Sequence, residues 1–355
     1  MNECPIEVWT RICSLACTDG GATGAALAQA SRYLYDASQC VRLQSIALVG
    51  VDQMESFLGM LEHTPPNLRC VRHLYIAGRD SPSETRTFTP IEMLHGEGLV
   101  QAYVYRHYHP RDTSLLHEKL ESVPDWLDMC PSFLVKRKKA FAAAFARIIQ
   151  LVSSHLETLT VHIGSMYPSF LFDIDFPSLR ELTLQGVFIL QTTFTNNLPD
   201  DERKVRELPS LKRLHLADCP TFFTAFIGSA PALTHLRMTG LTFLSTQIHQ
   251  SLLAVAAPRT FFDDAPPTPT VFPQKIIISP SGNLQPRMDR GMKTLGRLAA
   301  RSKNVIVMRP IRGGVPYSMS NAHAHWLQRI DGGPGCWNVS SDDIDTDDQH
   351  IPLVH

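Results

Sequence analysis

The sequence holds several clusters of side chains of the types that chemistry uses. His323-Ala-His325 and Arg106-His-Tyr-His109 pair imidazoles as metal sites do, Asp173/Asp175 and Asp200/Asp201 pair carboxylates, and Lys136-Arg-Lys-Lys139 concentrates positive charge. Cys13 and Cys17, four apart, share a helix face. A zinc site needs three or four ligands at telling spacings, and none of these pairs has a third. The aspartate pairs lie in polar, loop-like stretches with no partner base. The basic run leads from Phe133 and Leu134 into a helix, where it reads as a solvated face rather than an import address or an acidic-partner patch. No G-x-S-x-G elbow, P-loop or dinucleotide-binding glycine fingerprint occurs. The chain therefore reads as a non-enzyme without metal or cofactor. A hydrolase whose triad members are scattered along the chain stays open as an alternative.

A different pattern organises the chain. Leu211-Lys-Arg-Leu214-His-Leu216-Ala-Asp-Cys219 reads L-x-x-L-x-L-x-x-C, the spacing of a leucine-rich repeat. Leu214 and Leu216, two apart on a strand, point to one face, and Arg213, His215 and Ala217 point to the other. The form recurs from Leu156, Leu179 and Leu233, and more loosely at Val71-Arg-His-Leu74-Tyr-Ile76. Two of the intervals between the starts at Leu156, Leu179, Leu211 and Leu233 fall inside the usual period of ~20–29 residues. The longer interval, Leu179 to Leu211, holds a polar insertion from Gln191 to Arg206. Pro177, Pro209 and Pro231 each stand two residues before a repeat leucine, where proline stops a helix and extends the chain. The expected fold class is α/β, an irregular solenoid with parallel strands; an ordinary α/β sheet is the plainer alternative.

The bulk numbers fit a large globular protein. Of 355 residues 44% are hydrophobic, and the formal net charge of −1 gives no basic excess for nucleic acid. No apolar run approaches the ~18 residues of a membrane span. Glu3, Pro5, Glu7 and Arg11 interrupt any secretory signal, so the expected location is cytoplasm or nucleus. The eight scattered cysteines read as small apolar core residues.

Residues 1–50 read as a separate unit of three short helices. Pro5 opens the first, with Val8, Ile12 and Leu15 as its apolar stripe and Trp9 and Cys13 widening it. A glycine-rich turn over 18–24 breaks it, and Ser31 caps the third helix. The run P-I-E-V-W-x-R-I, the glycine turn and A-x-A-S-R-Y-L-Y-D resemble an F-box. They are most similar to the variant common in mushroom-forming fungi, in which V-R-x-Q-S-I-A-L and V-R-H-L-Y-I follow, here at 41–48 and 71–76. The chain departs from the common F-box at Cys4-Pro5, where Leu-Pro is usual, and at Tyr33, where Trp is usual.

The resemblance implies a substrate-recognition adaptor of an SCF-type ubiquitin ligase. Pro5, Ile6, Val8, Trp9, Ile12 and Leu15 would meet a Skp-family adaptor on a cullin scaffold, with Ile6 and Trp9 as the residues left partly exposed. A target protein would meet the outward column of the repeats, on a concave sheet: Tyr75, Thr160, Thr183, His215 and Arg237, flanked by Arg213 and His235. A non-ligase scaffold that keeps the F-box fold is the rival. The repeat domain is expected over 51–310, with an excursion near 79–112, a Pro-rich linker over 263–273, helices over 51–62, 133–153, 244–256 and 288–300, and strands at 275–279 and 304–308. Residues 331–355 hold six Asp and no Lys or Arg, and 311–355 is expected to be a disordered acidic tail.

Overall fold

The computed structural model describes residues 4–78, 130–162, 174–185, 206–217, 223–241, 273–280, 302–310 and 317–340, with scattered residues between 252 and 300. Its centre is one sheet of eight strands: β1 (Ser45–Val49), β2 (His73–Ala77), β3 (Thr158–His162), β4 (Glu181–Gln185), β5 (Arg213–Ala217), β6 (His235–Leu241), β7 (Lys275–Pro280) and β8 (Val305–Val307). The strands lie in sequence order and every neighbouring pair is parallel. This is an α/β fold of solenoid-like topology, and the five recurring segments are its strands β2 to β6.

The strands are in step. Leu74, Leu159, Leu182, Leu214, Leu236 and Ile276 pair across the sheet as one row, and Ile76, Val161, Leu184, Leu216, Met238 and Ile278 as the next. None of these twelve side chains is more than 1% exposed. Burying each contributes roughly 1.5–3 kcal/mol, which fixes the register, since a slip of one residue would put every leucine on the other face. Helices α4 (Val51–His63) and α5 (Cys130–Val152) bury Met54, Phe57, Leu61, Phe141, Phe145, Ile148 and Val152 in the same core.

The proline punctuation is a turn. Leu179 N–H bonds Phe176 O, Leu211 N–H bonds Leu208 O, and Leu233 N–H bonds Ala230 O, at 3.1–3.5 Å, so each proline is the second residue of a four-residue turn. Ser178 Oγ donates to Ser154 O and Ser210 Oγ to Pro177 O, tying the first two of these turns each to the chain one repeat back.

The N-terminal helices are α1 (Ile6–Ala16), α2 (Ala22–Ala30) and α3 (Arg32–Ser38), the last capped by Ser31 Oγ accepting from Leu34 N–H. They are fastened to the sheet. Gln44 Nε2 donates to the carbonyls of Ser14 and Cys17, and Ala47 N–H donates to Gly20 O at 3.0 Å. A Cβ on Gly24 would overlap the backbone of Arg42, so only glycine lets α2 approach so closely. The expected boundary at residue 50 is corrected: residues 45–49 are the first strand of the sheet. The cysteine reading is corrected as well. Cys13, Cys17 and Cys336 are buried, but Cys40 is exposed and Cys4 and Cys70 are intermediate.

The larger correction is at the C-terminus. Residues 317–340 are ordered, with helix α6 (Met319–Ile330) capped by Ser318 and followed by a 3-10 turn (Gly335–Trp337). Tyr317, Ala322, Trp326, Cys336 and Trp337 are buried with Tyr75, Ala77, Ala217 and Ile277 in a second core on the other side of the sheet. The acidic average of the tail concealed these aromatic groups. The excursion near 79–112, the helix at 244–256 but for Leu252, the linker over 263–273 but for its last residue, Cys219, most of the helix at 288–300 and the stretch 341–355 lie outside the described residues.

Candidate functional site

Two surfaces carry the residues singled out in the sequence. On α1 the helix faces its neighbours with Trp9, Thr10, Cys13 and Cys17. Trp9 lies edge-on to Tyr33 with centroids 6.5 Å apart, Thr10 Oγ1 donates to Ala37 O, and both cysteines are 1% exposed. Burial raises the Cys17 thiol to about 11, as suits an inert core group. The stripe of Val8, Ile12 and Leu15 faces away from these neighbours. Val8 is 46% exposed, Ile12 47% and Leu15 66%, with Ile6 at 43% on the first turn, and Pro5 is exposed as well. At 100° per residue Val8, Ile12 and Leu15 span an arc of about 60°. They form one apolar row in solvent, and Ile6 and Trp9 are both partly exposed, as expected.

Helix α1 carries two apolar stripes. One runs through 8, 12 and 15, the other through 9, 13 and 17, and periodicity alone does not say which meets α3. In the second stripe Cys13 and Cys17 are buried and Trp9 half-buried, so that stripe is the inward one.

The second surface is the column face of the sheet. Pairing brings Tyr75, Thr160, Thr183, His215 and Arg237 into one row as expected, which Ile277 extends, with His73, Thr158, Glu181, Arg213 and His235 beside it. The expectation of an open concave face is overturned. Tyr75 is 1% exposed, Thr160 6%, Thr183 5%, His215 0% and Arg237 9%, while Arg213 and His235 are half-buried. The chain's own C-terminal segment covers them. His323 and His325 belong to this cover, His323 against Tyr75 and Trp326 and His325 against Tyr317, and no group of three metal-ligating side chains occurs among the described residues.

The polar chemistry of this seam centres on Glu181, which lies in the flanking column with Arg213 and His235. Its carboxylate accepts from Arg329 Nε at 2.8 Å and from Trp337 Nε1 at 2.9 Å, with Arg213 Nη1 at 3.8 Å. His215 meets Tyr317 edge-on at 4.5 Å, and its Nε2 lies 2.9 Å from Thr239 Oγ1. Burial, with Arg237 and His325 close by, holds the His215 imidazole neutral well below its ordinary range. Burial lowers His235, His323 and His325 in the same sense. A cavity of about 10 Å³ between Thr160, Thr183, Glu181 and α6 has room for no more than a water molecule. The signal that would have found the cover was its spacing of Tyr317, Trp326 and Trp337 in an otherwise polar stretch.

No family model, no curated protein and no solved structure matches the chain. No helix among the described residues is long and apolar enough to cross a membrane.

Proposed function

We propose that this protein is a substrate-recognition adaptor of an SCF-type ubiquitin ligase, an F-box protein with a leucine-rich-repeat-like α/β domain. The observation that carries the reading is the row Val8, Ile12 and Leu15 on α1, apolar and facing solvent. Aliphatic side chains in a row at helical spacing need a cover, and the resemblance of α1 to α3 to an F-box makes a Skp-family adaptor that cover. Gln44 and Gly20 fasten this unit to the sheet, so an adaptor held by α1 would be held at a fixed place relative to the repeats. The chain would perform no covalent step. It would raise the concentration of a target lysine beside the charged ubiquitin carrier on the cullin scaffold.

The rival reading is a scaffold without ligase function, and the covered column face favours it to the extent that the face is never free. The test is co-elution of the full chain with a Skp-family adaptor. A 1:1 complex that Ile12→Asp abolishes, with the circular dichroism of the variant unchanged, is expected. Separate elution of a folded chain and the adaptor would leave only the scaffold.

A further inference from the structure

Among the described residues, the polar contacts between the C-terminal segment and the column face include six hydrogen bonds, of two kinds. Four strand side chains donate to main-chain carbonyls of the segment: Tyr75 Oη to Met319 at 3.2 Å, Lys275 Nζ to Trp337 at 3.3 Å, Gln185 Nε2 to Tyr317 and Arg237 Nη1 to Cys336. These donors come from β2, β4, β6 and β7. The other two contacts read side chains, and both run through Glu181, to Arg329 and Trp337. These bonds stand beside the apolar contact that Tyr317, Trp326 and Trp337 make in the second core. A groove that receives a peptide bonds its main chain for affinity and uses a few side-chain sites for specificity.

We propose that the column face is a peptide-recognition groove and that residues 317–337 are its tethered ligand, bound in cis by the chemistry that would hold a target in trans. The target class is a protein segment that presents an arginine and a tryptophan together to Glu181. Glu181 is 6% exposed; Arg213 of the sheet stands 3.8 Å off, beyond hydrogen-bond reach, so a segment lacking the arginine or the tryptophan leaves one buried carboxylate oxygen without its hydrogen-bond donor. The tether gives the resident segment a high effective concentration, so a target binds only after the segment is displaced. The identity of the target rests on the receptor reading above; the groove and its resident ligand do not.

The test uses the full chain with a protease site inserted between Arg309 and Tyr317, cut after folding. A fluorescent peptide of residues 317–340 is added in excess. The cut segment is expected to co-elute with the rest of the chain, to exchange with the peptide overnight, and to leave the circular dichroism unchanged. The uncut chain is expected to take up the peptide at least about tenfold more weakly, because the tether competes. A peptide carrying Arg329→Ala and Trp337→Ala is expected to lose at least about tenfold in affinity for the cut chain, and Glu181→Gln in the cut chain to abolish the difference between the two peptides. A cut chain that stays folded and refuses exchange, or one that unfolds when the segment leaves and is not restored by the peptide, would overturn the proposal and make 317–337 an integral layer. Adaptor co-elution on the same sample separates the two readings. Exchange without adaptor binding sinks the ligase and keeps the groove, and adaptor binding without exchange does the reverse.

Discussion

The two ends of this protein break the burial rule in opposite directions. Helix α1 turns Val8, Ile12 and Leu15 into solvent, while the column face of the sheet takes Glu181, His215 and Arg237 out of it. In α1 the apolar row has no cover among the described residues. On the sheet the polar row is already covered, and the charges of Glu181 and Arg237 have found partners in residues 317–337. An exposed apolar row and a buried polar row are both more informative than leucines in a core. The first marks a contact still to be made, the second a contact made by the chain with itself.

The sharpest way to break the comparison is to perturb the sheet on its two sides. Leu214 is 0% exposed among the paired leucines of β4, β5 and β6, so Leu214→Ala is expected to cost about 2–5 kcal/mol in chemical denaturation. His215, next in sequence, would be nearly silent on an open face. Buried against Tyr317 and bonded to Thr239, it is expected to cost about 1–3 kcal/mol as His215→Ala. A cost below about 0.5 kcal/mol at His215 would mean that the C-terminal segment is not seated in solution.

Protonation tests the same seam more gently. His215, His235, His323 and His325 are all shifted below their ordinary value of 6.5, chiefly by burial. The cations Arg213, Arg237, Lys275 and Arg329 reinforce the shift at one or more of them, and Glu181 alone opposes it, at His235. On the edge of the same face His73 is lowered to about 4, with its Nδ1 3.1 Å from Thr158 Oγ1. A group with a depressed basic pKa stays neutral in the folded chain while the unfolded chain takes up a proton. Stability is therefore full above about pH 6.5 and falls as the pH drops below it, down to about 4 for His73. Each fully shifted histidine adds about 1.4 kcal/mol per pH unit to that slope. Thermal melts at pH 7.5 and 5.5 are expected to show a loss that His215→Gln reduces. Equal melting temperatures at the two pH values would show the imidazoles to be free to titrate.

What was legible in the sequence follows the strength of local pattern. The repeats announced β2 to β6 because alternation and a leucine period are short-range signals, and the runs at 275–279 and 304–308 became β7 and β8 for the same reason. β1 was hidden inside the motif at 41–48, whose family resemblance drew it into the helical unit, although its backbone pairs with β2 along its whole length. The column residues were correctly aligned and wrongly assigned to solvent. Their cover comes from a segment far along the chain from the last of them, and no window of local sequence links Glu181 to Arg329. On α1 the stripes through 8, 12 and 15 and through 9, 13 and 17 have the same periodicity, so the pattern alone does not rank them; the burial of Cys13 and Cys17 marks the inward one.

The smallest expected effect on stability is also the one that sharpens the comparison most. Leu15 is the most exposed of the large apolar side chains described, at 66%, and loses little burial when shortened. Leu15→Ser, and Val8→Ser at 46% exposure, are expected to change unfolding free energy by no more than about 0.5 kcal/mol each. Their effect on adaptor capture should be much larger. A leucine that becomes fully buried in a complex contributes about 1.5–3 kcal/mol there, or roughly one to two powers of ten in Kd. Titrating a Skp-family adaptor against the wild type and both variants separates the two effects in one experiment. The same variants should leave exchange of the C-terminal peptide untouched, because α1 makes none of those six hydrogen bonds to it. If instead Leu15→Ser melted several degrees lower, the row would be packed within the chain, and the contrast between an uncovered helix and a self-covered sheet would fail at its first term.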